Sequence, residues 1–232
     1  DYTKESIAPN EKAALVSVNA SLKFVPFEER YPPEWFNNPD IMDPVMVPAR
    51  VPLSDTWQAM EALKRDRVAH HIGICNYSSA LIHDLMNYCE TKPEILQIEA
   101  HPYLTQEKLI RLAKNYGMEV TAFSPLGSLS YEEMGGADES ESLLSNETIK
   151  AISQSVQASP AQVVLGWALS RGTSVVVKSS SDQRMLENLG SASLKLDQQA
   201  LDAISQLNIN KRYNDPGVFC EGAFNTFYPI YE

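Results

Sequence analysis

Basic residues are scarce in this 232-residue chain: 19 Lys and Arg stand against 30 Asp and Glu, for a formal net charge of −11. That deficit excludes the broad positive surface which nucleic acid or an anionic membrane requires of a non-specific partner, and small molecules become the expected partners. Cysteine is also rare. Cys75, Cys89 and Cys220 form an odd set with no C-x-x-C pair, which excludes a disulfide framework and suits free thiols in a reducing compartment, so a cytoplasmic location is expected. Long apolar runs are missing too. The longest charge-free stretch, 151–170, is interrupted by Ser153, Gln154, Ser155, Gln157, Pro160 and Gln162, and no membrane span is expected. The opening residues, Asp1 to Ser6, have neither the basic start nor the apolar core of a signal peptide, and we expect a chain cut from something longer.

What remains is an ordinary globular composition, 44% hydrophobic and 21% charged, long enough for one substantial core, so disordered and collagen-like classes drop out. From about Leu53 onward short apolar runs alternate with helical patterns, the signature of βαβ units around a parallel sheet. Strands are expected at 71–75, 95–98, 119–123 and 175–177. Ser54-Asp55 should cap a helix with Trp57, Met60 and Leu63 on one face, and Ser78-Ser79 should open one carrying Leu81, Leu85 and Tyr88. Leu109, Leu112, Ala113 and Tyr116 recur at helical spacing before a Gly117 stop. Further helices are expected around Ile149, Ile152 and Val156, after Ser159-Pro160 with Gln162 at the capping-box position and Gly172 as the stop, from Ser181-Asp182 to about Leu189, and after Asp197. The acidic stretch 127–145, with Glu132, Glu133, Asp138, Glu139 and Glu141, reads as a solvated connection in preference to a lid, and the C-terminal end reads as irregular. Residues 1–52 offer one candidate strand, 14–18, and then a proline-rich loop. Four strands are half of the eight that a closed parallel barrel takes.

In parallel α/β folds ligands collect at the carboxyl ends of the strands. Those positions hold Asn76, then Gln97 with Glu99 and His101, then Phe123-Ser124, and last Lys178-Ser179. Amide, aromatic, hydroxyl and cationic groups together suit a flat heteroaromatic ring bearing a carboxamide and a phosphorylated sugar. Asn76 and Gln97 can clamp the amide, Phe123 offers a stacking face, and Lys178, Ser179, Ser181 and Arg184 surround a helix N-terminus that favours an anion. Arg184, Glu187 and Asn188 share one face of that helix. Singly, each has a structural reading, as a turn asparagine or a solvated surface arginine, and the weight lies in four strand ends agreeing. The histidines carry less. His70 and His71 are neighbours in a strand and point to opposite faces, so no metal site is expected; His83 reads as helix surface and His101, before Pro102, as a satisfied loop histidine.

Several segments make the chain resemble the aldo-keto reductases, and among them the xylose reductase group. They are 23–33 (KFVPFEERYPP), 72–77 (IGICNY), 97–103 (QIEAHPY), 123–128 (FSPLGS), Lys178-Ser179 and 212–216 (RYNDP). The resemblance covers about residues 23–232, as the C-terminal part of an oxidoreductase domain, and leaves 1–22 as a non-matching segment. It implies an α/β fold of the TIM (β/α)8-barrel type, present here as a half barrel. It also implies binding of NADP, with NADPH preferred over NADH, and reduction of an aldehyde, such as the aldose xylose, to an alcohol by hydride transfer. By position, Asn76 and Gln97 would hold the carboxamide and Phe123, in place of the family's usual tyrosine, would stack on the nicotinamide. Ser124, Leu126 and Ser128 would line the pyrophosphate; Lys178, Ser179, Ser181 and Arg184 would grip the 2′-phosphate; Glu187 and Asn188 would meet the adenine. Cys75 stands where the family usually has a serine, and a thiol is the poorer donor. Trp35 and the 24–35 loop point to sugar aldehydes.

The family's catalytic Asp, Tyr and Lys belong to strands upstream of Asp1, and Ser17 occupies the position of its histidine. No catalytic residue is therefore expected in this chain, which by itself should be incompetent as a reductase. A non-catalytic nucleotide-binding or regulatory barrel, and a truncated product without activity, stay open as alternatives.

Overall fold

The computed structural model describes residues 50–128, 131, 137, 138 and 142–231, the side chains of 219 and 222–224 excepted. The candidate strand at 14–18, Ser17, Trp35 and the proline-rich stretch to residue 49 lie outside the described residues, as do Glu132, Glu133, Glu139 and Glu141. The chain forms two compact units, one gathering the described parts of 1–72 with 83–92 and 215–232, the other 73–82 with 93–214.

The second unit holds the sheet. Strands β1 (Gly73–Cys75), β2 (Ile95–Glu99), β3 (Glu119–Phe123) and β4 (Ser174–Val176) pair in parallel, in that spatial order. Sequential parallel strands with a helix in every connection are the arrangement of part of a β/α barrel. Expected and observed strands agree at 119–123, but the first shrinks from 71–75 to Gly73–Cys75 and the last moves from 175–177 to Ser174–Val176. Pairing decides both: the β2 row begins at Ile95 opposite Gly73, and β3 ends at Phe123 opposite Val176. Ile74, Leu96, Ile98, Val120 and Ala122 are buried on one face. Cys75, Gln97, Thr121 and Ser174 share a register row on the other, with the Thr121 and Ser174 hydroxyls 2.8 Å apart. Such alternation follows from the two-residue period of a strand.

Helix α3 (Glu107–Asn115) stops at Gly117, whose φ of +82° is left-handed as expected. Asn146 caps α4 (Glu147–Val156), accepting the Thr148 N–H at 2.9 Å. A full capping box opens α5 (Pro160–Ser170): Ser159 Oγ accepts the Gln162 N–H at 3.2 Å and Gln162 Oε1 accepts the Ser159 N–H at 3.0 Å. Ser181 and Asp197 cap α6 (Asp182–Gly190) and α7 (Gln198–Ser205). The core of these helices is Ile149, Val163, Val164, Trp167, Ala168 and Ile204. Burial of a large apolar side chain contributes about 1.5–3 kcal/mol, and Trp167 also donates its indole N–H to Ser205 Oγ at 3.0 Å. Within 127–145, Ser128, Tyr131 and Leu143 are buried at 0%, 5% and 0% exposure, so these described residues pack inward, while Asp138 and Ser145 are exposed.

In the first unit α1 (Leu53–Arg65) begins at Pro52 without a side-chain cap; Ser54 Oγ reaches only Asp55 Oδ1, at 3.4 Å, which corrects the expected Ser54 cap. Proline can start a helix without one, because the fixed φ is already helical. Trp57 is buried and donates to the Thr91 carbonyl at 3.0 Å, while Glu61 Oε1 accepts the Glu90 and Thr91 N–H groups at 2.8 and 2.7 Å. Helix α2 (Ser79–Tyr88) contributes residues to both units; Ile82 and Leu85 are fully buried whereas Leu81 is 38% exposed, so the buried face lies one residue on from Leu81. The irregular C-terminal end is also corrected. Asp215 and Pro216 start a helix, α8 (Pro216–Phe224), with Asp215 Oδ1 accepting the Gly217 N–H at 2.8 Å. No helix among the described residues is long and apolar enough to cross a membrane.

Candidate functional site

Parallel pairing brings the carboxyl ends of β1 to β4 to one edge of the sheet, and the residues singled out in the sequence follow those ends. Asn76 sits directly after β1. Its N–H donates to the Gln97 carbonyl at 2.9 Å and its φ is +60°, a left-handed turn that asparagine tolerates better than most residues. Its side-chain Oδ1 is buried with no hydrogen-bond partner. Leaving a buried acceptor unpaired costs about 1–3 kcal/mol, which a ligand donor would recover. Gln97 is half-buried beside Cys75 in the register row, and Phe123 is half-buried at the end of β3.

The turn after β3 is tightly organised. Ser124 has a φ of +47° and its carbonyl accepts the Gly127 N–H at 2.9 Å. Gly127 has a φ of +75°, and a β-carbon there would lie 2.8 Å from the Leu143 side chain, so the turn needs glycine. Ser128 is fully buried, and its carbonyl accepts the Tyr131 N–H at 2.7 Å. The Tyr131 hydroxyl comes back to Ser124 Oγ at 2.9 Å. Burial pushes the Tyr131 phenol up from its ordinary pKa; its bonds to Ser124 and Asn214 pull against that and the Glu99 charge adds to it. Leu126 packs against the helical core.

At the carboxyl end of β4, Lys178 and Arg184 are exposed beside the start of α6. Ser179 Oγ accepts the Ser181 N–H at 3.1 Å, and Ser181 Oγ accepts the Arg184 N–H at 3.4 Å as the helix cap. Glu187 and Asn188 are half-buried further along; their carbonyls accept Gln162 Nε2 at 3.0 Å and Ser191 Oγ at 2.6 Å. Two exposed cations at a helix N-terminus make an environment for an anion.

The last residue of β2, Glu99, is the centre of an ionic cluster. Glu99 and His101 both have zero exposure, and His101 Nε2 is 3.0 Å from Glu99 Oε1. The Tyr213 N–H donates to Oε1 at 2.8 Å, the Asn214 N–H donates to Oε2 at 3.1 Å, and Arg212 Nη1 stands 3.5 Å from Oε2. Burial works to raise the Glu99 pKa, but the hydrogen bonds from His101, Tyr213 and Asn214 outweigh it and hold the carboxyl below its usual value. His101 Nδ1 is buried and has no hydrogen-bond partner, so the imidazole is bonded through Nε2 alone. The Tyr213 ring lies 5.3 Å from the His101 ring and stacks on Tyr131 at 5.8 Å.

A comparison with known families decides the assignment: the model of the aldo/keto reductase family matches residues 36–209. The chain belongs to that family. It is 41% identical over 208 residues to an NAD(P)H-dependent D-xylose reductase of Scheffersomyces stipitis, covering 87% of this chain and 63% of the relative. It is likewise 41% identical to an NADPH-dependent aldose reductase of Saccharomyces cerevisiae, over 89% of this chain and 65% of the relative. Among solved structures, an aldose reductase from Giardia lamblia superposes with a TM-score of 0.69 at 30% identity, covering 84% of this chain and 64% of that one. This aldo/keto reductase chain thus spans less than two thirds of the length of these relatives, and its fold is of their TIM-barrel type.

The sequence missed the hub of the cluster. Glu99, Arg212, Tyr213 and Asn214 were visible as strand-end and motif residues, but nothing in their spacing joins positions more than a hundred residues apart. Tyr131 sat among acidic residues and carried no signal of burial.

Proposed function

We propose that this aldo/keto reductase chain binds NADP(H) along the carboxyl edge of its sheet and that the protein it represents reduces aldoses such as xylose to alcohols. The unpartnered Oδ1 of Asn76 carries the reading: it is a buried acceptor at the end of β1, suited to the amide N–H of a carboxamide, with Gln97 next to it. Phe123 offers the stacking face, the Ser124–Ser128 turn with Leu126 lines the pyrophosphate, and Glu187 and Asn188 meet the adenine. Lys178, Ser179, Ser181 and Arg184 hold the 2′-phosphate, and their two positive charges make NADPH the preferred form over NADH. When bound, the nicotinamide supplies the hydride; the residues here fix its orientation and neutralise its phosphates. The names of the relatives support the substrate class. The absence of a disulfide at Cys75, Cys89 and Cys220 fits a cytoplasmic setting.

The 232-residue chain assayed alone should bind nucleotide without family-like turnover. Ser17, at the position expected for a histidine, is no proton donor for a carbonyl oxygen, and loss of general-acid help typically costs about 10²–10⁴-fold. Titration with NADPH tests the nucleotide reading, with saturable binding expected and weakened by Asn76→Ala. Absence of binding, or an unchanged affinity in that variant, refutes it.

A further inference from the structure

We propose that Tyr131 is a positioning residue for nucleotide binding, holding the Ser124 hydroxyl on the turn after β3, and that Glu99 holds Tyr131 in turn through Tyr213. The inference rests on the nucleotide reading above and extends it to side chains to which that reading gives no contact.

Tyr131 is pinned at three points. Its N–H donates to the Ser128 carbonyl at 2.7 Å, its hydroxyl meets Ser124 Oγ at 2.9 Å, and its ring stacks on Tyr213 at an interplanar angle of 15°. Ser124 and Ser128, the two residues it grips, are those assigned to the pyrophosphate. Ser124 holds a left-handed φ of +47°, a conformation that a non-glycine residue keeps only where its surroundings enforce it. A free serine hydroxyl samples several rotamers; one fixed before the ligand arrives loses less entropy on binding.

The support behind Tyr131 is also fixed. The Tyr213 ring stacks on Tyr131 at 5.8 Å, and the Tyr213 N–H donates to Glu99 Oε1 at 2.8 Å. Glu99 is itself fixed by His101, by the Asn214 N–H and by Arg212. Glu99 and Tyr213 are thus joined to the 124–131 segment by hydrogen bonds and one ring stack, running from a fully buried carboxylate to the turn after β3. In a buried setting such bonds count for more than at the surface.

The test titrates the full 232-residue chain with NADPH and, separately, with 2′-AMP, which has the adenosine phosphate and no pyrophosphate. Tyr131→Phe keeps the ring stack and removes the hydroxyl. It should raise the NADPH Kd by about 3- to 10-fold, the loss of one neutral hydrogen bond, while the 2′-AMP Kd stays unchanged. Tyr213→Leu, which leaves the main-chain bond to Glu99 in place and removes the ring stack, should give the same ligand-selective loss. Ser124→Ala should weaken NADPH as well, and the double variant with Tyr131→Phe should lose no more than Ser124→Ala alone, because Tyr131 acts through Ser124. A purely structural role would weaken both ligands or give additive losses. Equal weakening of both ligands, additive losses in the double variant, or an unchanged NADPH affinity in Tyr131→Phe each overturn the proposal. No saturable NADPH binding by the unsubstituted chain refutes the nucleotide reading and this inference with it, and shows itself before any substitution is made.

Discussion

Replacing Arg184 by alanine is the most direct probe of cofactor choice. Arg184 is the third residue of α6, exposed, with its N–H bonded to Ser181 Oγ at 3.4 Å. Alanine keeps that main-chain bond and is the better helix former, so the substitution removes a guanidinium and little else. In the proposed site the loss is one charge-assisted hydrogen bond to the 2′-phosphate, about 1.5–3 kcal/mol in general. Solvent screening at an exposed side chain puts the effect at the lower end, about 1.5 kcal/mol, or roughly a tenfold rise in the NADPH Kd. NADH has no phosphate at that position and should change by less than about twofold. Fluorescence titration with both nucleotides, at about 50 and 200 mM salt, reads the difference, and the NADPH effect should shrink as salt rises. An equal loss for NADPH and NADH, or an effect insensitive to salt, would show that Arg184 does not meet the phosphate.

The Glu99 cluster predicts an acid limb. Because its folded-state pKa is lowered, Glu99 contributes stability that is present above the ordinary value of 4.5 and is lost as pH falls through the folded value. Urea unfolding between pH 7 and 3 should show Glu99→Gln less stable by about 2–3 kcal/mol at neutral pH and nearly flat across the acid limb, where the unsubstituted chain falls; parallel curves would remove Glu99 from that role. Gly73→Ala should cost about 1–3 kcal/mol, since the new methyl would lie 2.6 Å from the Ile95 carbonyl oxygen. Gly117→Ala, with open space around it at a φ of +82°, should cost only the backbone strain, about 1–2 kcal/mol. A reversed ranking in thermal melts would contradict the β1–β2 register. Steady-state assays of the chain with NADPH and a panel of aldoses should return background rates, and turnover typical of an aldose reductase would overturn the proposed incompetence and the alignment that puts Ser17 at the histidine position.

Much of the fold was legible along the chain, because its determinants are local. Strand β3, the Gly117 stop, the Ser159–Gln162 capping box and the Ser181 and Asp197 caps each depend on residues within four positions of one another. The Asp215-Pro216 start of α8 is equally local, but the aromatic composition around it hides the helix signal. Asn76, Gln97, Phe123 and Lys178 could be placed on one edge because a parallel sheet puts every carboxyl end on the same side. Tertiary structure decided the rest. Strand limits at Gly73 and Val176 are set by where the partner strand begins and ends, a property of pairing that neither segment contains. The stacking of Tyr131 on Tyr213, and the meeting of Glu99 with Tyr213 and Asn214, depend on contacts across more than eighty residues of intervening chain. Periodicity reports which face of an element is apolar; which distant carboxylate a backbone N–H will find is fixed only when the elements pack.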